Sequence, residues 1–173
     1  MGHGARVLID RLRMRKDNNK ALGQHFLNNE EILDETMRLA EVSPQDHVIE
    51  IGPGPGVLTE RLLETGCELT SIEIDPEVCG FLRDNFPNLE LVEGDALKVK
   101  WPKANKVVAN IPYQISSPLI DVITRTNSID YVVILVQEEF AERLVVEWES
   151  DRGSLGMCTM LDWDCLLYTS DAA

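Results

Sequence analysis

The chain has 173 residues, of which 44% are hydrophobic and 27% charged, a balance that fits one domain with a packed core and excludes a disordered or fibrous chain. No apolar run approaches the ~18 residues of a membrane-spanning helix, and the basic N-terminus lacks the apolar stretch and cleavage site of a secretory signal. The net charge is −14, with six bases and two acids in residues 1–20 and ten bases against 28 acids in the rest, so the body repels a polyanion and the arm alone attracts one.

The acidic excess reads as a solvated surface, or one suited to high salt. The four cysteines, Cys67, Cys79, Cys158 and Cys165, fit no zinc or redox spacing, and they are expected to be reduced packing residues of a cytoplasmic protein. No metal-ligand cluster is expected.

Residues 1–20 form a basic arm, in which Arg6, Arg11, Arg13, Arg15, Lys16 and Lys20 are candidate phosphate contacts; the alternative is a frayed, solvated terminus. A mixed segment, Ala21 to Leu27, follows. Asn28 or Asn29 then caps a helix whose apolar face is Ile32, Leu33, Thr36, Met37, Leu39 and Ala40, ended by Ser43-Pro44. From there strands and helices alternate. Strands are predicted at 47–51, 69–74, 89–92, 106–111 and 131–136. Helices are predicted at 57–65, 76–85, 118–125 and 138–146. Short apolar strands alternating with helices predict a parallel sheet covered on both faces. A sixth strand over 155–161 is conceivable, but residues 154–173 have no pattern that fits the sheet. The domain organisation is therefore an arm over 1–20, an α/β domain over 21–153 and an irregular end over 154–173.

Chemistry concentrates after the strands. Glu50-Ile51-Gly52-Pro53-Gly54-Pro55-Gly56 runs from a buried strand into a helix. Its glycines allow a tight turn and close approach of a ligand to Gly52 and Gly54. Dinucleotide binders space these glycines G-x-G-x-x-G. Here the spacing is G-x-G-x-G, as in S-adenosylmethionine binders, though a plain strand–helix turn has the same composition. Glu73 ends the second strand, where a carboxylate can accept both hydroxyls of a ribose; the alternative is a solvated strand end. Asp95 follows the third strand, where it can accept an adenine amino group or simply cap the next turn. The fourth strand ends in Asn110-Ile111-Pro112-Tyr113. An aromatic amine is a poor nucleophile because its lone pair is delocalised. The Asn110 amide oxygen and the Ile111 carbonyl can accept its two N–H groups and draw the nitrogen toward tetrahedral geometry. Pro112 fixes the backbone and Tyr113 offers a stacking ring. A strand followed by a proline turn is the plainer reading.

These blocks occur in a known order. Gly23-Gln24-His25-Phe26-Leu27, Glu50 to Thr59, Glu73-Ile74-Asp75, Gly94-Asp95-Ala96, Asn110 to Leu119 and Gln137 to Leu144 resemble the small-subunit ribosomal RNA adenine dimethyltransferases, in an archaeal-type form, over about residues 20–150. The resemblance implies a class I methyltransferase fold, an α/β Rossmann-like sheet, without the family's C-terminal helical domain. It implies methyl transfer from S-adenosyl-L-methionine, without metal, to two adjacent adenines near the 3′ end of small-subunit rRNA. Carried over by position, His25, Leu27, Gly52, Gly54, Glu73, Asp95 and Asn110 would touch the cofactor. Asn110, Ile111, Pro112 and Tyr113 would handle the target base. His25 stands where many members have Asn, so its contact would be through the backbone; Phe140 would only pack its helix. The expected partner is small-subunit rRNA or its precursor particle, the expected form a cytoplasmic monomer with no membrane contact. Large-subunit rRNA methyltransferases of the antibiotic-resistance type share most of these motifs. A non-catalytic nucleic-acid-binding module would not need an intact Asn110-Ile111-Pro112-Tyr113. A nicotinamide oxidoreductase would need the G-x-G-x-x-G that is absent.

Overall fold

The sequence His47-Val48-Ile49-Glu50-Ile51 can only be placed at the centre of a sheet, because its last four residues are all buried. The computed structural model of the protein describes residues 30–111, 113–136 and 138–144 together with Leu8, without the side chains of Tyr113, Glu138, Glu139 and Arg143. Its elements are α1 (Glu30–Ala40), β1 (His47–Ile51), α2 (Val57–Glu64), β2 (Glu68–Glu73), α3 (Pro76–Asn85), β3 (Glu90–Glu93), β4 (Lys106–Asn110), a 3-10 turn (Tyr113–Ile115), α4 (Ser116–Thr124), β5 (Tyr131–Leu135) and α5 (Glu138–Leu144). The five strands are parallel and ordered β3-β2-β1-β4-β5. This order reverses direction at β1, the point where open α/β sheets bind their ligands.

Side chains alternate across the sheet, and each face has its own core. Ile49, Ile51, Ile72, Val107 and Ala109 pack with Leu119, Ile120, Ile123, Phe140 and Leu144 on one face. Val48, Leu69 and Val108 pack with Leu33, Leu58 and Leu62 on the other. Leu8, from the arm, is buried with Val78 and Leu82 of α3.

The predicted elements are all present where the structure describes them, with shifts at their ends. β2 stops at Glu73, and Ile74 is turned outward, 45% exposed. β3 runs one residue later than the apolar run implied. α1 stops at Ala40, before Ser43-Pro44, because Glu41 takes a left-handed φ of 45°. The last carbonyls of α1 are then taken by neighbours in the sheet. Lys106 Nζ donates to the Ala40 and Glu41 carbonyls at 3.0 and 2.7 Å, and the Tyr131 hydroxyl to that of Leu39 at 3.1 Å. Such capping satisfies groups that a helix end leaves orphaned. Ser43 forms the next turn instead, its N–H and hydroxyl both donating to Asp46. α4 begins at Ser116, not at Pro118, because a proline in the first turn has no intrahelical N–H to lose. β5 is partly exposed, and among the described residues it has a neighbour, β4, on one side only. The sixth strand considered over 155–161 lies outside the described residues.

Candidate functional site

Four strands deliver the motif residues to one edge of the sheet. Across that edge stand Asp95 after β3, Glu73 at the end of β2, the glycine loop after β1, and Asn110-Ile111 at the end of β4. Backbone hydrogen bonds continue the ladder past the strands: Gly52 N to Ile72 O at 2.9 Å, Gly94 N to Glu73 O at 2.7 Å and Ile111 N to Leu135 O at 3.0 Å. The edge is therefore built from fixed backbone, as a site needing sub-ångström placement requires.

The loop turns on Gly52, Gly54 and Gly56, with φ of 66°, 55° and 81°. A side chain at Gly56 would overlap the Phe86 ring at the end of α3. Gly56 is also the N-cap of α2, with no side chain satisfying that helix end.

Glu73 is 4% exposed. Its Oε1 accepts the N–H groups of Ile74 and Asp75 at 2.8 and 2.9 Å, and Oε2 accepts that of Gly54 at a longer 3.3 Å. Burial pushes its carboxyl up, against the pull of these N–H groups. Glu73 is thus no solvated strand end; it ties β2 to the glycine loop. Oε2, with the weaker contact, has acceptor capacity left. The Asp75 carboxylate caps α3 by accepting the N–H groups of Glu77 and Val78.

Glu50, the acid within the buried strand β1, is a further buried group at this edge. It is 1% exposed, and its Oε2 accepts the hydroxyls of Thr59 in α2 at 2.8 Å and of Ser71 in β2 at 2.7 Å. Oε1 is buried without a partner. Burial, reinforced by the negative Glu73, pushes this carboxyl up to about 7 against the two hydroxyls.

Asp95 caps the turn that follows it: Oδ1 accepts the Leu97 N–H at 3.0 Å, and Lys98 pairs with Oδ2 at 3.0 Å. These contacts hold its carboxyl below the usual range. It remains part-exposed beside Glu93, which lies opposite Glu73 in the sheet. Asn110 closes β4 at the same edge, and Ile111 is buried with its N–H held by Leu135. Pro112, the Tyr113 side chain, His25 and Leu27 lie outside the described residues. Phe140 is 3% exposed in the core and packs its helix, as expected.

Cys79 is buried below Glu73, with its thiol pushed up to about 12 by burial and then by the acids Glu73 and Glu93. A thiol so held is no nucleophile at neutral pH. Among the described residues no group of three His, Cys, Asp or Glu is placed to hold a metal ion. The edge has instead an acidic rim, Glu73, Asp75, Glu93 and Asp95, with Glu50 beneath it. That rim suits a cationic ligand better than a phosphate.

Residues 15–169 match the family described as ribosomal RNA adenine dimethylase. A probable ribosomal RNA small subunit methyltransferase A of Thermococcus kodakarensis is 45% identical over 131 residues, 75% of this chain and 47% of that protein. A dimethyladenosine transferase from Plasmodium falciparum superposes with a TM-score of 0.72 at 36% identity, over 79% of this chain and 52% of the other. The 23S rRNA methyltransferase ErmE superposes with a TM-score of 0.64 at 33% identity, over 69% of this chain and 50% of the other. The expected class I methyltransferase sheet is the one observed. The chain spans about half the length of the curated relatives it matches.

Proposed function

The chain belongs to the ribosomal RNA adenine dimethylase family, and on that premise we propose that it transfers methyl groups from S-adenosylmethionine to the exocyclic amines of two adjacent adenines near the 3′ end of small-subunit rRNA. The observation that carries this reading is the alignment of the glycine loop, Glu73 and Asn110 on one rigid sheet edge with an acidic rim.

The residues fit the donor. Glu73 Oε2, held only by the 3.3 Å contact to Gly54, is the oxygen that exchanges it for a ribose hydroxyl. Ile74, turned out beside it, offers an apolar surface for the adenine face. Asp95 accepts the adenine amino group, and Gly52 and Gly54 line the methionine end. His25 and Leu27 complete this set by position. When bound, S-adenosylmethionine supplies a methyl group on a positively charged sulfur, and the acidic rim favours that charge.

The remaining work falls to β4. The Asn110 amide oxygen and the Ile111 carbonyl accept the two N–H groups of the target amine and hold its lone pair toward the methyl group. The Ile111 N–H donates to the Leu135 carbonyl, which fixes the peptide between Asn110 and Ile111, one link before that carbonyl. Pro112 stiffens the turn and Tyr113 stacks on the target base. No general base is needed, because the methylated amine is acidic enough to lose its proton to water.

Phosphate contact from this chain falls to the basic arm and depends steeply on salt. The protein acts as a cytoplasmic monomer on the small subunit or its precursor. The likeness to ErmE favours large-subunit rRNA as a second reading. Transfer of labelled methyl groups to unmethylated small subunits, compared with large subunits, decides between the two.

A further inference from the structure

Glu50 has no task in the reaction proposed above, yet it sits directly beneath the site. Its side chain lies on the face of the sheet that carries Ser71 and Glu73, since Glu50 pairs with Ser71 and Glu73 follows two residues on. Oε2 accepts hydrogen bonds from two hydroxyls, whereas Oε1 is buried and unpartnered. The titratable groups facing it among the described residues are Glu73 on β2 and the Cys67 thiol just before that strand. The other side chains packed on this face, Leu33 of α1, Leu58 of α2 and Val108 of β4, carry no charge. Burial disfavours the ionised form of Glu50, and the negative Glu73 nearby adds to that. Nothing described around Glu50 supplies a compensating positive charge.

We propose that Glu50 couples its proton to the charge of the ligand at the sheet edge: it ionises when a sulfonium cation lies beside Glu73 and regains the proton when a neutral thioether lies there. This rests on the methyl-donor reading. The O–H bond of the Glu50 carboxyl breaks, the proton passes to solvent, and the carboxylate is balanced by the ligand's positive sulfur. Once the methyl group has left, that charge is gone and the carboxylate takes a proton back from solvent. By linkage, a ligand that expels a proton binds more tightly as pH rises, so the site comes to prefer donor over product.

Calorimetric titration of the whole chain at pH 7, in two buffers of different ionisation enthalpy, tests this with S-adenosylmethionine and S-adenosylhomocysteine. With Glu50 pushed up to about 7, the donor should release roughly half a proton per site and the product close to none. The ratio of donor to product affinity should rise by up to about tenfold between pH 6 and pH 8. Glu50→Gln, which keeps an acceptor for Thr59 and Ser71, should remove both effects. Donor binding without proton release, equal release with both ligands, or release that persists in Glu50→Gln overturns the proposal and leaves the cofactor reading standing. Binding of neither ligand overturns both. The wild-type comparison decides alone if the variant does not fold.

Discussion

Thr59 Oγ1 donates a 2.8 Å hydrogen bond to Glu50 Oε2, joining the first turn of α2 to the strand that leads into the glycine loop. Ser71 does the same from β2. One carboxyl oxygen thus fastens three elements beneath the site, and the loop between β1 and α2 has both of its ends fixed.

Replacing Thr59 by valine keeps the shape and removes the donor. Thr59 is fully buried, so water cannot take its place. The expected loss is about 1–3 kcal/mol of stability, read as a lower urea midpoint at unchanged slope. An unchanged midpoint would show that Ser71 alone suffices.

The stability of the fold should fall between about pH 4.5 and pH 7. Glu50 is raised in the folded chain from 4.5 to about 7. Its contribution is therefore complete below the unfolded value and lost as pH rises through the folded one, by about 3 kcal/mol. Asp46 acts in a separate window. Burial pushes it up, but hydrogen bonds from Asn105, Ser43 and Lys106 together outweigh that and hold it at about 2. Its stabilisation is present above about 3.8 and lost as pH falls through about 2. Urea midpoints measured from pH 4.5 to 8 should decline in the wild type and stay flatter in Glu50→Gln. Parallel curves would place the titration elsewhere.

Gly56→Ala should destabilise by about 1–3 kcal/mol. The added methyl would overlap the Phe86 ring, and the backbone there has a φ of 81°. Gly80, where an added methyl meets nothing within 4 Å, is the control on helix α3. Thermal melts of the two variants give the comparison, and equal melting temperatures would contradict the packing described.

Asn110→Ala should lower methyl transfer by at least about 10²-fold, the usual scale for losing one positioned polar group in a reaction site. Cofactor affinity should change by only a few-fold. Turnover near the wild-type level would remove Asn110 from amine positioning.

The buried parallel strands were legible because each is short, apolar and followed by a glycine, proline or acid. Glu73 and Asp95 could be located for the same reason, since position at a strand tip is itself a signal. Glu50 was not. A single acid in an apolar strand does not reveal its partners, and Thr59 and Ser71 are 9 and 21 residues away. The end of α1 comes before the proline because Glu41 turns left-handed and Lys106 and Tyr131, far along the chain, take the last carbonyls. Asp95 caps its own turn, the plainer of the two readings its position allows.

Calorimetric binding of S-adenosylmethionine to the wild type and to Glu73→Ala tests the central claim most directly. The wild type should bind without added metal, and the variant should bind about 10- to 100-fold more weakly, the equivalent of losing a charge-assisted hydrogen bond worth about 1.5–3 kcal/mol. No binding by the wild type, or equal affinity in the two proteins, would contradict the assignment of this sheet edge as the methyl-donor site.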